Sequence, residues 1–460
     1  SFFALGLIYW LYDRPLDSSI HWLQERFPTQ PDVLKAGKRA LKAGYEFGTT
    51  LKTKSVGVRV PAKTFGPGVY RRVNGITSLA LGMAAAAARS GREVVFSAFP
   101  STAVVELLHY LTLHRPPGVI ALQAEDETAA AGMALGAAYG GAIVIVGSGG
   151  MGLGAAAEII GLGVMTELPM VVIHAQQSGP ALGLPGKPEQ ADLLQAIYGR
   201  NGECPVPVLA MRSPSDGFAI VLEAVRLATR YMTPVIVLTD TFALSAAEAW
   251  LVPAVDTLPP LPTPVPVPPA RGKTKTFLPY ARDVRLARPW ATPGTPGLEH
   301  RIGGLEKEDG TGVVSYEPAD HEHMVNVRAQ KVAQIAGDIV RLQVHGPPEG
   351  ELLLLGWGST YGTIAAATTR IRARGYPVAH AHFRHLHPLP ENTVSVLQKF
   401  KKVVAIELNT GQLRQWLRSH CLLDVQVFSK VQGRPLLVSE IEEFVVDLFR
   451  PRLISEEIGL

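Results

Sequence analysis

Three acids, Glu125, Asp126 and Glu127, stand directly ahead of thirty residues, Thr128 to Ala157, that carry no formal charge. The pattern predicts an Ala/Gly-rich helix opening at the acids, then a short buried strand from Ala142 to Val146. A glycine loop, Gly147 to Gly154, leaves that strand and starts another helix. A carboxylate at the head of a buried helix can hold or exchange a proton where water is scarce. A glycine loop at a strand end lets a ligand come close to backbone. Acids in a first helical turn also cap the helix and complement its dipole, worth about 0.3–1 kcal/mol each, with no further role required.

Other chemistries were weighed on the same residues. The uncharged run exceeds the roughly 20 residues of a membrane span. It is mostly Ala and Gly, however, and is interrupted at Gly140-Gly141, so it reads as a core helix followed by a core strand. Gly147, Gly149 and Gly152 satisfy G-x-G-x-x-G between strand and helix. A nicotinamide site wants an acid at the end of the next strand, and Pro169 to His174 instead ends in Ala175-Gln176-Gln177. His380, His382, His385 and His387 offer metal ligands, with His380 and His382 on one strand face, but read as strand and turn. His321-Glu322-His323 lacks an i, i+4 pair and reads as solvated. No metal site is expected in this chain.

The elements that must hold these residues follow an α/β rhythm. Strands are expected at 93–97, 117–122, 142–147, 169–175 and 234–239, each continuously apolar. The intervening helices are expected at 76–90, 101–112, 126–139, 153–165, 189–198 and 214–231. Such strands belong in a parallel sheet covered on both faces. Eight prolines between Pro253 and Pro269 read as an extended strap, and the charged, glycine-rich stretch to about 330 as an interface segment. The rhythm resumes at about Glu349 with LLLLGW (352–357), a helix from Tyr361 to Arg374, and strands VAHAH and KVVAIEL. Residues 1 to about 48 read as a helical tail, with Asp17 and Ser18 as N-caps.

Composition narrows the function. The net charge of +4 is modest and scattered, which points away from nucleic acid. Cys204 and Cys421 are the two cysteines, too few for an iron–sulfur cluster or a cysteine-based zinc site in this chain. Low cysteine usage and the absence of a signal peptide fit a cytoplasmic protein. The chain opens inside an apolar run, SFFALGLIYWLY, so Ser1 is expected to be an internal residue of a longer chain.

Four long motifs in order carry a family resemblance: AEDETAAAGMALGAAYGG, GLPGKPEQADLLQAIYGRNGE (183–203), TPGTPGLEHRIGGLEKEDGTG (292–312) and LLLLGWGSTYG (352–362). Together they resemble the 2-oxoacid:ferredoxin oxidoreductases, specifically the 2-oxoglutarate type with fused γ and α subunits. The resemblance implies an α/β fold: a thiamine-diphosphate-fold pyrimidine-type parallel-sheet domain plus a smaller transketolase-C-like α/β domain. The expected organisation is a γ-type helical tail at 1–56, a linker at 57–72 and the pyrimidine-type domain at 73–253. A strap and interface segment at 254–348 and the transketolase-C-like domain at 349–460 follow. The upstream part of the γ domain is expected to lie outside this numbering.

Carried over residue by residue, the resemblance puts Glu127 on the glutamate that hydrogen-bonds the aminopyrimidine ring of thiamine diphosphate. There it favours the imino tautomer that takes the C2 proton. Phe99, Pro100, Gly150 and Gly152 fall around the same cofactor. Thr102 stands where the family's threonine meets the substrate carboxylate, and equally suits a helix cap. Departures cluster at the substrate. The family's Tyr-Pro-Ile-Thr-Pro reads Phe99-Pro100-Ser101-Thr102-Ala103, and its Gly-Asn-Glu-Ala reads Gly75-Ile76-Thr77-Ser78. Its arginine clamp reads Gln177, a neutral amide in place of a charged two-point fork. Met151 adds bulk to the glycine loop.

The implied function is that of an enzyme subunit. It would be the α-type part of a thiamine-dependent complex that oxidatively decarboxylates a 2-oxoacid to its acyl-CoA, or runs the reverse carboxylation. Coenzyme A is the cosubstrate and ferredoxin the electron acceptor. The chain has no GDG-type diphosphate motif, its nearest string being Glu308-Asp309-Gly310. The diphosphate site, its Mg2+ and a 4Fe-4S cluster are therefore expected on a β-type partner, in a dimer of heterodimers. A non-catalytic or regulatory paralogous subunit is the alternative that the altered substrate positions raise.

Overall fold

A computed structural model describes residues 2–51, 64–101, 104–261, 263 and 277–450. The chain divides into two compact units, Ser1–Gly68 and Val69–Leu460. The first consists of helices Phe2–Leu11, Asp17–Arg26 and Pro31–Thr50. Leu23 and Leu41 are its fully buried side chains. Leu16 takes the cap position of the second helix without a side-chain bond, so Asp17 is the first helical residue rather than its cap.

In the second unit the main sheet runs, in space, His385–His387, Val208–Ala210, Pro234–Asp240, Met170–Gln176, Ile143–Gly149, Val94–Ala98, Val119–Gln123. All pairings are parallel except that of His385–His387. Strands 94–98, 143–149, 170–176 and 234–240 are buried at every position, which is why their sequences are unbroken apolar runs. The chain steps from 94–98 outward to 119–123, then returns to place 143–149 on the other side of 94–98. That reversal is the topological switch point, and a crevice opens there at the carboxyl ends of the two strands.

A second sheet runs Gln426–Ser429, Phe400–Glu407, Gly350–Trp357, Val378–Phe383, Val344–His345, parallel except at its last pair. Its Leu353, Leu355, Trp357 and Phe383 share one hydrophobic cluster with Val144, Val172 and Ile236 of the main sheet. The histidine string links the sheets: His380 and His382 lie in the second, while His385 and His387 extend the first.

Two segments differ from expectation. Tyr70–Asn74, which starts in the expected 57–72 linker and runs past its end, pairs antiparallel with Ala247–Leu251. Pro318–Gln334, inside the expected surface segment, is a helix that buries Arg328 and Lys331 alongside Met324, Val327 and Val332. Lys331 and Arg282 both pair with the buried carboxylate of Glu167, and Arg328 pairs with Glu306. His321 and His323 stay exposed, meeting Glu306 and Asp309 at 2.9 and 2.8 Å. Among the described residues no helix is long and apolar enough to cross a membrane, and no group of three or more His, Cys, Asp or Glu could hold a metal.

Candidate active site

Every described candidate residue comes from the carboxyl ends of four adjacent strands. Glu127 follows strand 119–123, Phe99 and Pro100 follow 94–98, Gly150 and Gly152 follow 143–149, and Gln177 follows 170–176. Thr102 lies outside the described residues.

Glu127 is the first residue of helix Glu127–Tyr139, and Asp126 caps that helix by accepting from Ala129 N at 2.6 Å. The cap and the aligned peptide dipoles place partial positive charge beside the Glu127 carboxylate. Asp126 thus performs the capping role that the sequence left open to any of the three acids. A β-carbon on Gly152 would lie 2.8 Å from Glu127 Cγ and 2.8 Å from Ser148 Oγ. Glycine at 152 therefore lets Glu127 and Ser148 pack directly against the loop backbone.

Gly150 sits at φ +55°, and a β-carbon there would lie 2.6 Å from the Gln177 Nε2. Both the left-handed backbone and the amide packed over it require glycine. The Gln177 Oε1 is buried and has no hydrogen-bond partner among the described residues. Buried acceptors rarely go unpaired, so the amide is available to a donor that arrives with a ligand. Ser101 Oγ, beside the Phe99-Pro100 turn, is buried and unpartnered in the same way.

Beside Gly152 starts a polar chain that the spacing in sequence does not show. Ser148 and His174 are register partners on adjacent strands, with Ser148 Oγ 3.1 Å from His174 Nδ1. The other ring nitrogen, Nε2, is 2.9 Å from Asp192 Oδ2. Asp192 N in turn donates to Gln176 Oε1 at 3.1 Å. One signal was legible in retrospect: a histidine inside the otherwise apolar run Met170-Val171-Val172-Ile173.

The loop carrying Asp192 is held by the second sheet's unit of structure. Gln190, fully buried, donates to Trp357 O at 2.7 Å, accepts from Leu408 N at 3.1 Å, and receives Asn409 Nδ2 on its carbonyl at 2.8 Å. Gln412 Oε1 accepts from Leu194 N at 3.0 Å. Burial pushes the Glu407 carboxyl up, against hydrogen bonds from Leu413 N, Asn409 and Arg414 N. The motif at 183–203 is therefore a polar seam that fixes the site against the smaller sheet.

Comparisons with known proteins match this chain in sequence and fold. A family model described as pyruvate flavodoxin/ferredoxin oxidoreductase, thiamine-diphosphate-binding, matches residues 86–317. One described as pyruvate:ferredoxin oxidoreductase core domain II matches residues 350–441. The chain is 48% identical to the 2-oxoglutarate oxidoreductase subunit KorA of Mycobacterium tuberculosis, over 99% of this chain and 69% of that protein. It is 30% identical to the 2-oxoacid:ferredoxin oxidoreductase 1 subunit alpha of Aeropyrum pernix, over 93% of this chain and 67% of that one. Among solved structures it is similar to the 2-oxoglutarate:ferredoxin oxidoreductase of Magnetococcus marinus with 2-oxoglutarate, coenzyme A and succinyl-CoA bound. The TM-score is 0.87 at 28% identity, covering 97% of this chain and 77% of that chain.

Proposed function

This chain belongs to the 2-oxoacid:ferredoxin oxidoreductase family, as an α-type subunit, and we propose that it works on 2-oxoglutarate with Glu127 serving thiamine diphosphate. The observation that carries the proposal is the junction at the switch point, where Glu127 packs directly on loop backbone that only glycine at 152 allows it to reach. The unpartnered acceptor of Gln177 and the unpartnered hydroxyl of Ser101 would be available as polar partners for the aminopyrimidine half of the cofactor. When bound, thiamine diphosphate supplies a carbon nucleophile and an electron sink for cleavage next to the keto carbon.

The chain's own residues do the rest. Glu127 accepts a hydrogen bond from the protonated ring nitrogen, in a crevice where a charge-assisted bond is strong. The glycine loop would flank the ring, with Phe99 and Pro100 on its approach, and Gln177 would face the substrate. The 73–253 segment then acts as the pyrimidine-type domain and 349–460 as the transketolase-C-like domain, with 1–56 the tail of a γ-type domain.

At the loops around the crevice Met151, Leu182 and Leu184 are 59%, 68% and 54% exposed. Apolar surface of this kind calls for a covering partner. We assign that role to a β-type subunit carrying the diphosphate site, its Mg2+ and the 4Fe-4S cluster, in a cytoplasmic dimer of heterodimers that reduces ferredoxin. Co-expression with that partner, followed by ferredoxin reduction dependent on 2-oxoglutarate and coenzyme A, tests the assignment. Absence of turnover with thiamine diphosphate bound would instead favour a non-catalytic paralogue, the reading that Gln177 in place of the arginine supports.

A further inference from the structure

A cavity of about 150 Å³ is bounded by Arg212, Tyr361 and Arg384, which follow strands Val208–Ala210, Gly350–Trp357 and Val378–Phe383. Arg341 and His345 close it from the short strand Val344–His345 and the residues before it, and His382 lines it from within the smaller sheet. No Asp or Glu is among its lining residues, and none of Glu127, Gly150, Gly152 or Gln177 reaches it. One carboxylate answers the three arginines from behind the wall: Asp216 pairs with Arg384 and stands 3.9 Å from Arg212. Glu223 is taken by Arg226 and His385, and Glu248 by Ser213 and the backbone N of Ser215. Arg341 has no ion pair among the described residues.

Solvated arginines at a surface need no ligand, and Arg212 and Arg341 alone would read that way. The buried donors are different. Arg384 Nε and both ring nitrogens of His382 are buried with no hydrogen-bond partner among the described residues. Burial, with Arg212 next in effect, holds His382 neutral against a weaker pull from the Gly358 carbonyl. The neutral ring still carries one hydrogen to donate. Leaving such donors unpaired is costly, and gathered cations repel until a counter-charge arrives.

From this arrangement we propose that the cavity binds a phosphoryl dianion, either free phosphate or the phosphomonoester end of a larger metabolite. Guanidinium forks match phosphate oxygens and make short charge-assisted bonds to them. A phosphomonoester carries about −1.5 to −2 at pH 7, the counterpart of the two cations that Asp216 leaves unanswered. The cavity suits one such head group, since pockets for whole small-molecule ligands run to about 300–1,000 Å³. The occupant would join Arg212, which follows a main-sheet strand, to His382 of the smaller sheet. The proposal does not depend on the reading of Glu127.

The test uses the assembled complex with its β-type partner, saturated with thiamine diphosphate so that the diphosphate site is closed to the probe. Isothermal titration calorimetry with inorganic phosphate, at ionic strength matched with chloride, should show one saturable site per chain, half-filled below about 1 mM. Hydrogen exchange in segments 340–346 and 381–386 should slow as it fills. Arg341→Glu should abolish binding and Arg212→Gln weaken it by about tenfold, and both side chains reach solvent, so the fold should hold. Arg370→Gln, outside the cavity and paired with Glu442, should change nothing. Glycerol 3-phosphate separates the sources: tighter binding than phosphate assigns the phosphomonoester, and equal or weaker binding assigns the free ion. Succinate, a dianion of another shape, should bind at least about tenfold more weakly than phosphate. No saturation by either phosphate probe at about 10 mM would overturn the proposal. So would succinate binding as tightly as phosphate, or phosphate binding that survives Arg341→Glu with the exchange pattern unchanged.

Discussion

A β-carbon on Gly152 would sit 2.8 Å from Glu127 Cγ, closer than real β-carbons approach their neighbours. The glycine loop and the acid at the helix head, far apart in sequence, therefore pack directly against each other. Gly152→Ala should push the carboxylate out of place and also cost stability, since Glu127 Cγ lies mid-chain and the Ser148 hydroxyl is buried and hydrogen-bonded to His174. A displacement near 1 Å costs catalysis on the order of 10²-fold. Steady-state assays beside thermal melts check this, and a variant with natural kcat would remove Gly152 from the site.

Much of this was legible in the sequence because the main sheet is buried on both faces. Unbroken apolar runs such as Ile143-Val144-Ile145-Val146 located its strands to within a residue or two, and the glycines after them located the crevice. The helix Pro318–Gln334 was hidden because its buried face includes Arg328 and Lys331, made tolerable by Glu306 and Glu167 contributed from elsewhere. His385–His387 was unreadable as a strand of the main sheet because three residues, two of them polar, carry no periodic signal. The Ser148–His174–Asp192 chain was hidden by separations of 26 and 18 residues. Only the pairing of strands 143–149 and 170–176 brings it together.

Glu167 is 2% exposed and takes both Arg282 and Lys331. Burial alone would raise its carboxyl, but the two cations override that and hold it low. Removing one member of such a group leaves uncompensated buried charge, typically costing about 3–5 kcal/mol. Glu167→Ala should therefore destabilise the protein by that order and loosen helix 318–334, read by denaturant melts and by hydrogen exchange in that helix. A loss below about 1 kcal/mol would mean the charges are solvated in the protein.

Burial, with Arg212 next in effect, pushes His382 down to about 3, and burial beside His345 and Arg372 pushes His380 down to about 4. Both are neutral in the folded chain and protonate more readily when unfolded, so the unfolded state binds more protons below the ordinary histidine value. Their contribution to stability is full above about pH 6.5 and falls as pH drops toward 4, by about 1.4 kcal/mol per unit for each. Melting at pH 7 and pH 5 should show a larger drop for the natural protein than for His382→Gln. Equal drops would place the acid sensitivity elsewhere.

Gln177 offers one neutral amide where the resemblance expects a guanidinium, and a hydrogen bond to a charged group is worth about 1.5–3 kcal/mol. KM for 2-oxoglutarate should fall by about tenfold or more in Gln177→Arg. Because Gln177 Nε2 packs over Gly150, the larger head group must swing toward the crevice, which is where the carboxylate is needed. An unchanged KM would show that another group holds the carboxylate.

The central claim is that Glu127 acts on thiamine diphosphate rather than merely heading a helix that Asp126 already caps. Exchange of the cofactor's C2 proton, followed by NMR in the complex with the β-type partner, measures that action without substrate. Glu127→Gln should slow the exchange by about 10²–10⁴-fold, the usual scale of general acid–base help, with the fold intact. Exchange at the natural rate in Glu127→Gln, with thiamine diphosphate bound, would contradict the account.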